Sequence, residues 1–158
     1  MIFEDVINFA AALPRYAPLA GLDLGTKTIG VAVCDGGLII SSPLETIKLT
    51  KFQADAARLF EITSRREIVG IVLGLPLNMD GSEGPRAQST RAFARNLTRL
   101  TDLPITYWDE RLSTVAAERA LLEADTSRKR RAEVIDNIAA SIILQGLLDR
   151  LRNIKAAP

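Results

Sequence analysis

The stretch Leu19-Ala-Gly-Leu-Asp-Leu-Gly-Thr-Lys-Thr-Ile-Gly-Val-Ala-Val-Cys-Asp35 decides how the chain is read, because it sets one carboxylate, Asp23, into an otherwise apolar strand. Successive strand residues point to opposite faces, so Leu22 and Leu24 share one face while Gly21, Asp23 and Gly25 share the other. Removing an ionised carboxylate from water is costly unless the charge is paired, hydrogen-bonded or held by a cation. The cation is the expectation developed below; hydrogen bonds from backbone amides near the turn are the simpler alternative. Gly25-Thr26-Lys27-Thr28 predicts a tight hairpin turn, and Ile29, Val31 and Val33 carry the apolar alternation onto a second strand.

Composition narrows the chemistry. The 158 residues suffice for one domain, and 47% hydrophobic with 25% charged residues is the balance of a globular core under a solvated surface. No run approaches the roughly 20 apolar residues that cross a bilayer, and no basic segment followed by an apolar block opens the sequence, so a soluble cytoplasmic protein with no membrane partner is expected. Cys34 is the only cysteine, which excludes an internal disulfide. Histidine is absent, which removes Ser-His and Cys-His nucleophile pairs, imidazole acid–base chemistry and His-bearing zinc sites. Hydrolysis would have to run on carboxylates, whose hard oxygens suit Mg²⁺ or Mn²⁺. A net charge of +1 selects no partner by itself.

Outward from the hairpin, residues 3–13 place Phe3, Val6, Ile7, Ala10 and Leu13 at helical spacing before Pro14, which predicts a helix packed outside the main fold. Residues 1–18 are therefore assigned as a helical extension, 19–152 as the main domain and 153–158 as a tail. After the turn signal Asp35-Gly36-Gly37, Leu38-Ile39-Ile40 predicts a third strand of an antiparallel meander. Residues 52–66 predict a helix, and Glu67-Ile-Val-Gly-Ile-Val-Leu-Gly74 reads as a strand buried on both faces. A Gly/Pro-punctuated loop follows, in which the amides of residues 81–84 could face a phosphate beside Arg86. The next helix runs to about Leu100 and is expected to bury Phe93, Leu97 and Leu100.

Residues 103–114 read as a fifth strand breaking into a helix start, with Tyr107 and Trp108 packed in the sheet. Ser113 or Thr114 would cap a helix carrying Val115, Ala116, Arg119, Leu122 and Glu123. Residues 125–131 read as a basic loop. The last helix is expected from near Ala132 to about Arg152, with Ile135, Ile138, Ala139, Ile142, Leu147 and Leu151 as its core stripe. Asp136 falls at the side of that stripe, in line with Ala140 and Ile143 and in the first turn, where the helix dipole tolerates an anion. The sum is an α/β fold: a five-stranded mixed sheet, three antiparallel strands then two parallel ones, flanked by helices.

The acids can then meet. Asp23 lies on the first strand, Asp109 and Glu110 end the last, and Asp136 is on the C-terminal helix; adjacent strand residues face opposite ways, so only one of Asp109 and Glu110 can share the face of Asp23. Three anions together would repel unless metal neutralised them, and two Mg²⁺ roughly 3.5–4 Å apart can drive an in-line phosphodiester displacement without histidine. Lys27, Arg86, Arg111, Arg128, Lys129, Arg130 and Arg131 would hold the flanking phosphates.

Four blocks carry a family resemblance: Gly21-Leu-Asp-Leu-Gly-Thr-Lys-Thr-Ile-Gly-Val-Ala-Val, Gly74-Leu-Pro-Leu-Asn-Met-Asp-Gly-Ser-Glu, Asp109-Glu-Arg-Leu-Ser-Thr and Ile135-Asp-Asn-Ile-Ala-Ala-Ser-Ile-Ile-Leu-Gln. Together and in this order they resemble the YqgF/RuvX family over residues 19 to about 152. The resemblance implies a ribonuclease-H-like fold and a cytoplasmic nuclease, described in the family both as a Holliday junction resolvase and as a nuclease processing pre-16S rRNA. It implies Asp23, Glu110 and Asp136 as the acidic triad that is both catalytic and metal-holding, with Asp109 adjacent. The position after Lys27 is often Arg in that family; here it is Thr28, so one phosphate contact is missing.

The leading expectation is a Mg²⁺- or Mn²⁺-dependent endonuclease acting on structured nucleic acid, processing the 5′ end of pre-16S rRNA in ribosome biogenesis. Resolution of branched DNA is the alternative within that chemistry, and it would want a homodimer where RNA trimming would serve a monomer. A non-catalytic RNA-binding ribosome-assembly factor is the alternative from another class. Asp23-Leu-Gly-Thr also resembles the phosphate loop of actin-like ATPases, but those need two such domains and this chain has room for one.

Overall fold

The computed structural model describes residues 1–113 and 128–156, the side chains of 128–135 and 156 excepted. Its elements in chain order are β1 (Ile2–Phe3), α1 (Val6–Ala12), β2 (Leu19–Leu24), β3 (Thr28–Cys34), β4 (Ser41–Lys48), α2 (Phe52–Arg65), β5 (Gly70–Leu75), α3 (Pro85–Thr98), β6 (Ile105–Asp109), a single 3₁₀ turn (Glu110–Leu112) and α4 (Arg128–Ala156). One sheet holds all six strands in the order β1-β6-β5-β2-β3-β4. β2 runs antiparallel to β3 and parallel to β5, which is in turn parallel to β6. The hairpin turn closes with Gly25 N donating to Thr28 O at 2.8 Å.

The apolar alternation sorts the sheet into two layers. Leu22, Ile29, Val31, Ile71, Leu73 and Ile105 pack on one side against Ala56, Leu59 and Ile62 of α2 and Ala87, Phe93 and Leu97 of α3. Leu19, Ala32, Val72 and Trp108 pack on the other against Ala140, Ile143, Leu144 and Leu147 of α4. Every residue of β5 is buried, as its unbroken apolar run requires between two helical layers. Tyr107 and Trp108 are buried in the sheet as expected.

α4 lies unusually close to the sheet, and glycine is the reason. A Cβ placed on Gly21 would stand 2.7 Å from Leu144 Cβ, and one on Gly30 would stand 1.9 Å from the backbone oxygen of Asp136. Both strands thus give up side chains where the helix backbone crosses them.

The fold departs from expectation at four places. The N-terminal segment joins the core: Ile2 and Phe3 pair in parallel with Ile105 and Thr106 as a sixth strand, and Phe9 is fully buried. Asp5 caps α1 by accepting from Ile7 N at 2.9 Å, so the helix starts later than apolar spacing predicts. Leu38-Ile39-Ile40 is no strand. Leu38 turns with φ 60 and Ile39 and Ile40 are exposed, while β4 begins at Ser41 and includes Pro43. An edge strand tolerates proline, and the register slips between Val31 and Ala32, opposite Glu45 and Pro43. Leu100 lies beyond α3 and is exposed rather than buried.

The fourth departure bears on the site. α4 starts at Arg128, so residues 128–131 open a helix instead of forming a loop, and Asp136 lies well inside it, where the dipole of the first turn no longer explains an anion. Its fully buried stripe is Ala140, Ile143, Leu144, Leu147, Leu148 and Leu151, whereas Ile138 and Ile142 are only partly buried. Asp136, four residues before Ala140 and seven before Ile143, therefore begins the sheet-facing stripe instead of bordering it. The expected core role of Ile135 and the helix carrying Val115, Ala116, Arg119, Leu122 and Glu123 lie outside the described residues.

Two substitutions test this packing. Phe9→Ala should cost about 3–5 kcal/mol in urea unfolding with an unchanged m value, as for any filled core site; a loss below about 1 kcal/mol would make the N-terminal segment peripheral. Gly30→Ala should cost about 3 kcal/mol or more, because the obstructing atom belongs to helix backbone and has little freedom to yield; a neutral result would mean that α4 sits higher on the sheet.

Candidate active site

Asp23 is the penultimate residue of β2 and is 1% exposed. It pairs across the ladder with Gly30, and paired residues share a face, so its carboxylate is on the side where Gly30 meets the Asp136 backbone. Asp136 itself reaches toward the hairpin: a Cβ on Gly25 would stand 2.7 Å from its Oδ2, and the Thr28 hydroxyl donates a hydrogen bond to that oxygen. On the other flank Leu22 pairs with Leu73, and Gly74, one residue on, faces α4 at Ile143. The carboxylate of Glu110 lies over this glycine, 2.9 Å from where a Cβ would be. Carboxylates from a central strand, from the turn after β6 and from α4 thus border the carboxyl end of β2 on one face, with Gly25, Gly30 and Gly74 leaving the room.

Asp23 is paired with Gly30, Asp136 lies by Gly25 and Gly30, and Glu110 lies over Gly74. Among the described residues no three acidic or thiol side chains converge tightly enough to grip one ion. Asp136 accepts a hydrogen bond from the Thr28 hydroxyl. The donor set is all carboxylate oxygen, and the glycines hold open space that any side chain would fill. On both counts these residues fit a hard divalent cation.

Asp109 is excluded from that space. It pairs with Leu75, whose side chain is on the α2 and α3 face, so alternation sends Asp109 away from α4 and leaves the next residue, Glu110, to face it. Arg111 then takes both Asp109 oxygens, with Nη2 at 2.8 Å from Oδ2 and Nε at 3.1 Å from each. That hydrogen-bonded fork holds the Asp109 carboxyl below the usual carboxylate range against an opposing effect of partial burial.

The cations named from sequence fall into three groups. Lys27 is exposed on the hairpin turn, and Arg86 is exposed at the start of α3, where it reaches Leu24 O at 3.4 Å. Arg86 borders a cleft of about 440 Å³ between Gly25 and Thr26 of the turn and Pro85 and Ser89 of α3. Arg111 is occupied by Asp109. The side chains of Arg128, Lys129, Arg130 and Arg131 lie outside the described residues. The amides of residues 81–84 are partly spent within their own loop: Gly81 N donates to Asn78 O and Ser82 N to Asp80 Oδ1. A second cavity, about 500 Å³, opens at the far end of β3 beside Cys34, whose thiol is pushed up to about 11 by burial.

Thr28, marked from sequence only as a missing phosphate contact, has a different role here, as a hydrogen-bond donor to Asp136. Its signal was present, as the position where a cation stands in many members of the resembling family, but a hydroxyl partner for a carboxylate 108 residues away has no local signature.

Comparison with known proteins bears on the family and the fold. The family model RuvX, described as Holliday junction resolvase, matches residues 17–150. A relative from Paracoccus denitrificans, named as a candidate pre-16S rRNA nuclease, is 74% identical over 152 residues, covering 96% of each chain. One of the same name from Ruegeria pomeroyi is 70% identical over 154 residues, covering 98% of this chain and all of that one. Among solved structures, Thermus thermophilus RuvC in complex with a Holliday junction substrate superposes with TM-score 0.53 at 13% identity, over 86% of this chain and 96% of that one. The yeast mitochondrial Holliday junction resolvase Ydc2 superposes with TM-score 0.50 at 11% identity, over 95% and 85%. At such identities these two speak to fold, and the fold is that of the ribonuclease-H-like resolvases. With a family match over most of its length and relatives at 70% identity or more, the chain belongs to the RuvX (YqgF) family.

Proposed function

We propose that this chain is a Mg²⁺- or Mn²⁺-dependent endonuclease that hydrolyses phosphodiester bonds in structured nucleic acid, processing the 5′ end of pre-16S rRNA in the cytoplasm. The observation that carries the reading is the gathering of Asp23, Glu110 and Asp136 from three separate elements onto one face at the end of β2, in a chain without histidine. The names borne by its close relatives support the substrate, and among the described residues no helix is long and apolar enough to cross a membrane.

The division of labour follows from exposure. Asp23, buried in the sheet, is the fixed donor, while Glu110 and Asp136 are partly exposed and approach from opposite flanks. Bound divalent cations would supply Lewis-acid stabilisation of the charge that builds on the phosphate. The three carboxylates would orient those cations and accept hydrogen bonds from the attacking water. Lys27 and Arg86 would hold neighbouring phosphates of the strand as position-setting contacts that read no base. Asp136, held by Thr28, would complete the donor set. That same hydrogen bond is what favours the second reading, an RNA-binding assembly factor with a disabled site.

Cleavage separates the two. With a 5′-extended 16S precursor and Mn²⁺, Asp23→Asn and Glu110→Gln should each lower the rate at least about 100-fold while leaving RNA affinity in EDTA within about twofold. Equal cleavage by wild type and both variants would mean a contaminating nuclease and return the protein to a binding role. Cation binding has its own readout: Mn²⁺ at about 100 times its dissociation constant should stabilise wild type by about 2.7 kcal/mol, seen as a raised melting temperature, and Asp23→Asn should abolish the rise.

A further inference from the structure

The arginine after the two adjacent acids does something other than what its charge suggests. In sequence Arg111 reads as a phosphate contact, yet among the described residues its side chain bonds into the protein: the fork on Asp109 and an Nη1 bond to Met79 O at 3.2 Å. Asp109 answers in kind. Its Oδ1 accepts from Arg111 N at 3.0 Å, capping the 3₁₀ turn whose first residue is Glu110. Ser113 closes the other end of that turn, its amide and hydroxyl donating to Glu110 O at 3.3 and 3.2 Å.

The loop at the far side of Arg111 is equally tied. Asn78 N donates to Ser82 O at 2.9 Å, the Ser82 hydroxyl to Asp80 at 2.6 Å, and Gly81 takes the positive φ of 88 that the tight turn requires. The guanidinium lies against Gly81, 3.5 Å from where a Cβ would be. One planar group therefore joins the end of β6, the turn carrying Glu110 and the loop leaving β5. A planar fork with donors on two edges can do this; an ammonium cannot.

We propose that Arg111 is a positioning residue that sequesters the Asp109 charge and locks the 3₁₀ turn to loop 78–84, so that Glu110, and not Asp109, is presented over Gly74. The inference rests on the nuclease reading for its catalytic consequence but not for its structural one. Groups that orient a metal-holding side chain characteristically matter 10- to 100-fold in metal affinity or activity, and Arg111 is expected in that range.

Arg111→Ala and Arg111→Lys in the full-length chain test it, with melting temperature as the check on folding. Arg111→Ala should lower kcat about tenfold or more with KM within about twofold, weaken Mn²⁺ binding by calorimetry about tenfold, and speed amide hydrogen exchange in residues 78–84. Arg111→Lys should recover none of these fully, because a lysine cannot hold Asp109 and Met79 O together. The salt dependence of RNA affinity in EDTA should be unchanged in both. If instead Arg111→Ala reduces that salt slope by about one contact while kcat, Mn²⁺ affinity and exchange stay at wild-type values, Arg111 is a phosphate ligand and the proposal is overturned. Unchanged exchange in residues 78–84 also overturns it. A wild-type chain that neither binds Mn²⁺ nor cleaves would end the nuclease reading, and the exchange arm would still decide the lock.

Discussion

The arrangement depends on one close approach, the seating of the α4 backbone directly on glycines of the central strands. At Gly21 and Gly30 no side chain separates helix from sheet, and Gly30 lies under the peptide of Asp136 itself. Helices normally ride on a sheet with a layer of side chains between; here that layer is missing along part of β2 and β3. Asp136 is brought to the level of the strand ends, where Asp23 already points. Gly74 repeats the device on the other flank, with Ile143 and Glu110 sharing the space that it leaves. Without these gaps the three carboxylates would be held apart by ordinary packing distance.

Charge placement at the end of β6 follows a second constraint. Two acids in succession would set two anions beside the site, and strand alternation separates them by face before any partner is needed. Arg111 then neutralises the one turned away and uses its remaining edge on the loop from β5. Exposed ion pairs contribute little to stability as a rule, but a bidentate pair that also closes a turn and holds a second loop is a geometric device more than an energetic one. Thr28 also reaches the site's third carboxylate, its hydroxyl donating to Asp136.

The edges of the sheet show how a small domain completes itself. The N-terminal segment adds the two-residue strand β1 beside β6 and drives Phe9 into the α4 layer, so residues ahead of the central hairpin contribute to the same core. At the other edge β4 carries Pro43 and a register slip, and Gln145 of α4 receives Ser41 N at its side-chain oxygen. Both are features that a central strand would reject and that an edge strand tolerates.

The sequence alone determined what depends on neighbours in the chain. Alternation around Asp23 is a period-two pattern and set its face correctly; the apolar run of residues 67–74 announced a doubly buried strand, and the absence of histidine directed attention to carboxylates. Glu110 was separated from Asp109 only by family resemblance, since alternation states that one acid must face the site without saying which. Tertiary structure decided the rest. Ile39 and Ile40 looked like a strand by composition, but Leu38 turns the chain and edge pairing starts at Ser41. The apolar pattern puts Ile138 and Ile142 in the core stripe and Asp136 at its side, whereas the fully buried stripe runs through Ala140, Ile143, Leu144 and Leu147, in line with Asp136. The contacts that seat it, Gly30 under its peptide and Thr28 on its oxygen, join residues more than 100 positions apart, and no local pattern encodes a contact whose two halves become neighbours only when the sheet and the last helix close.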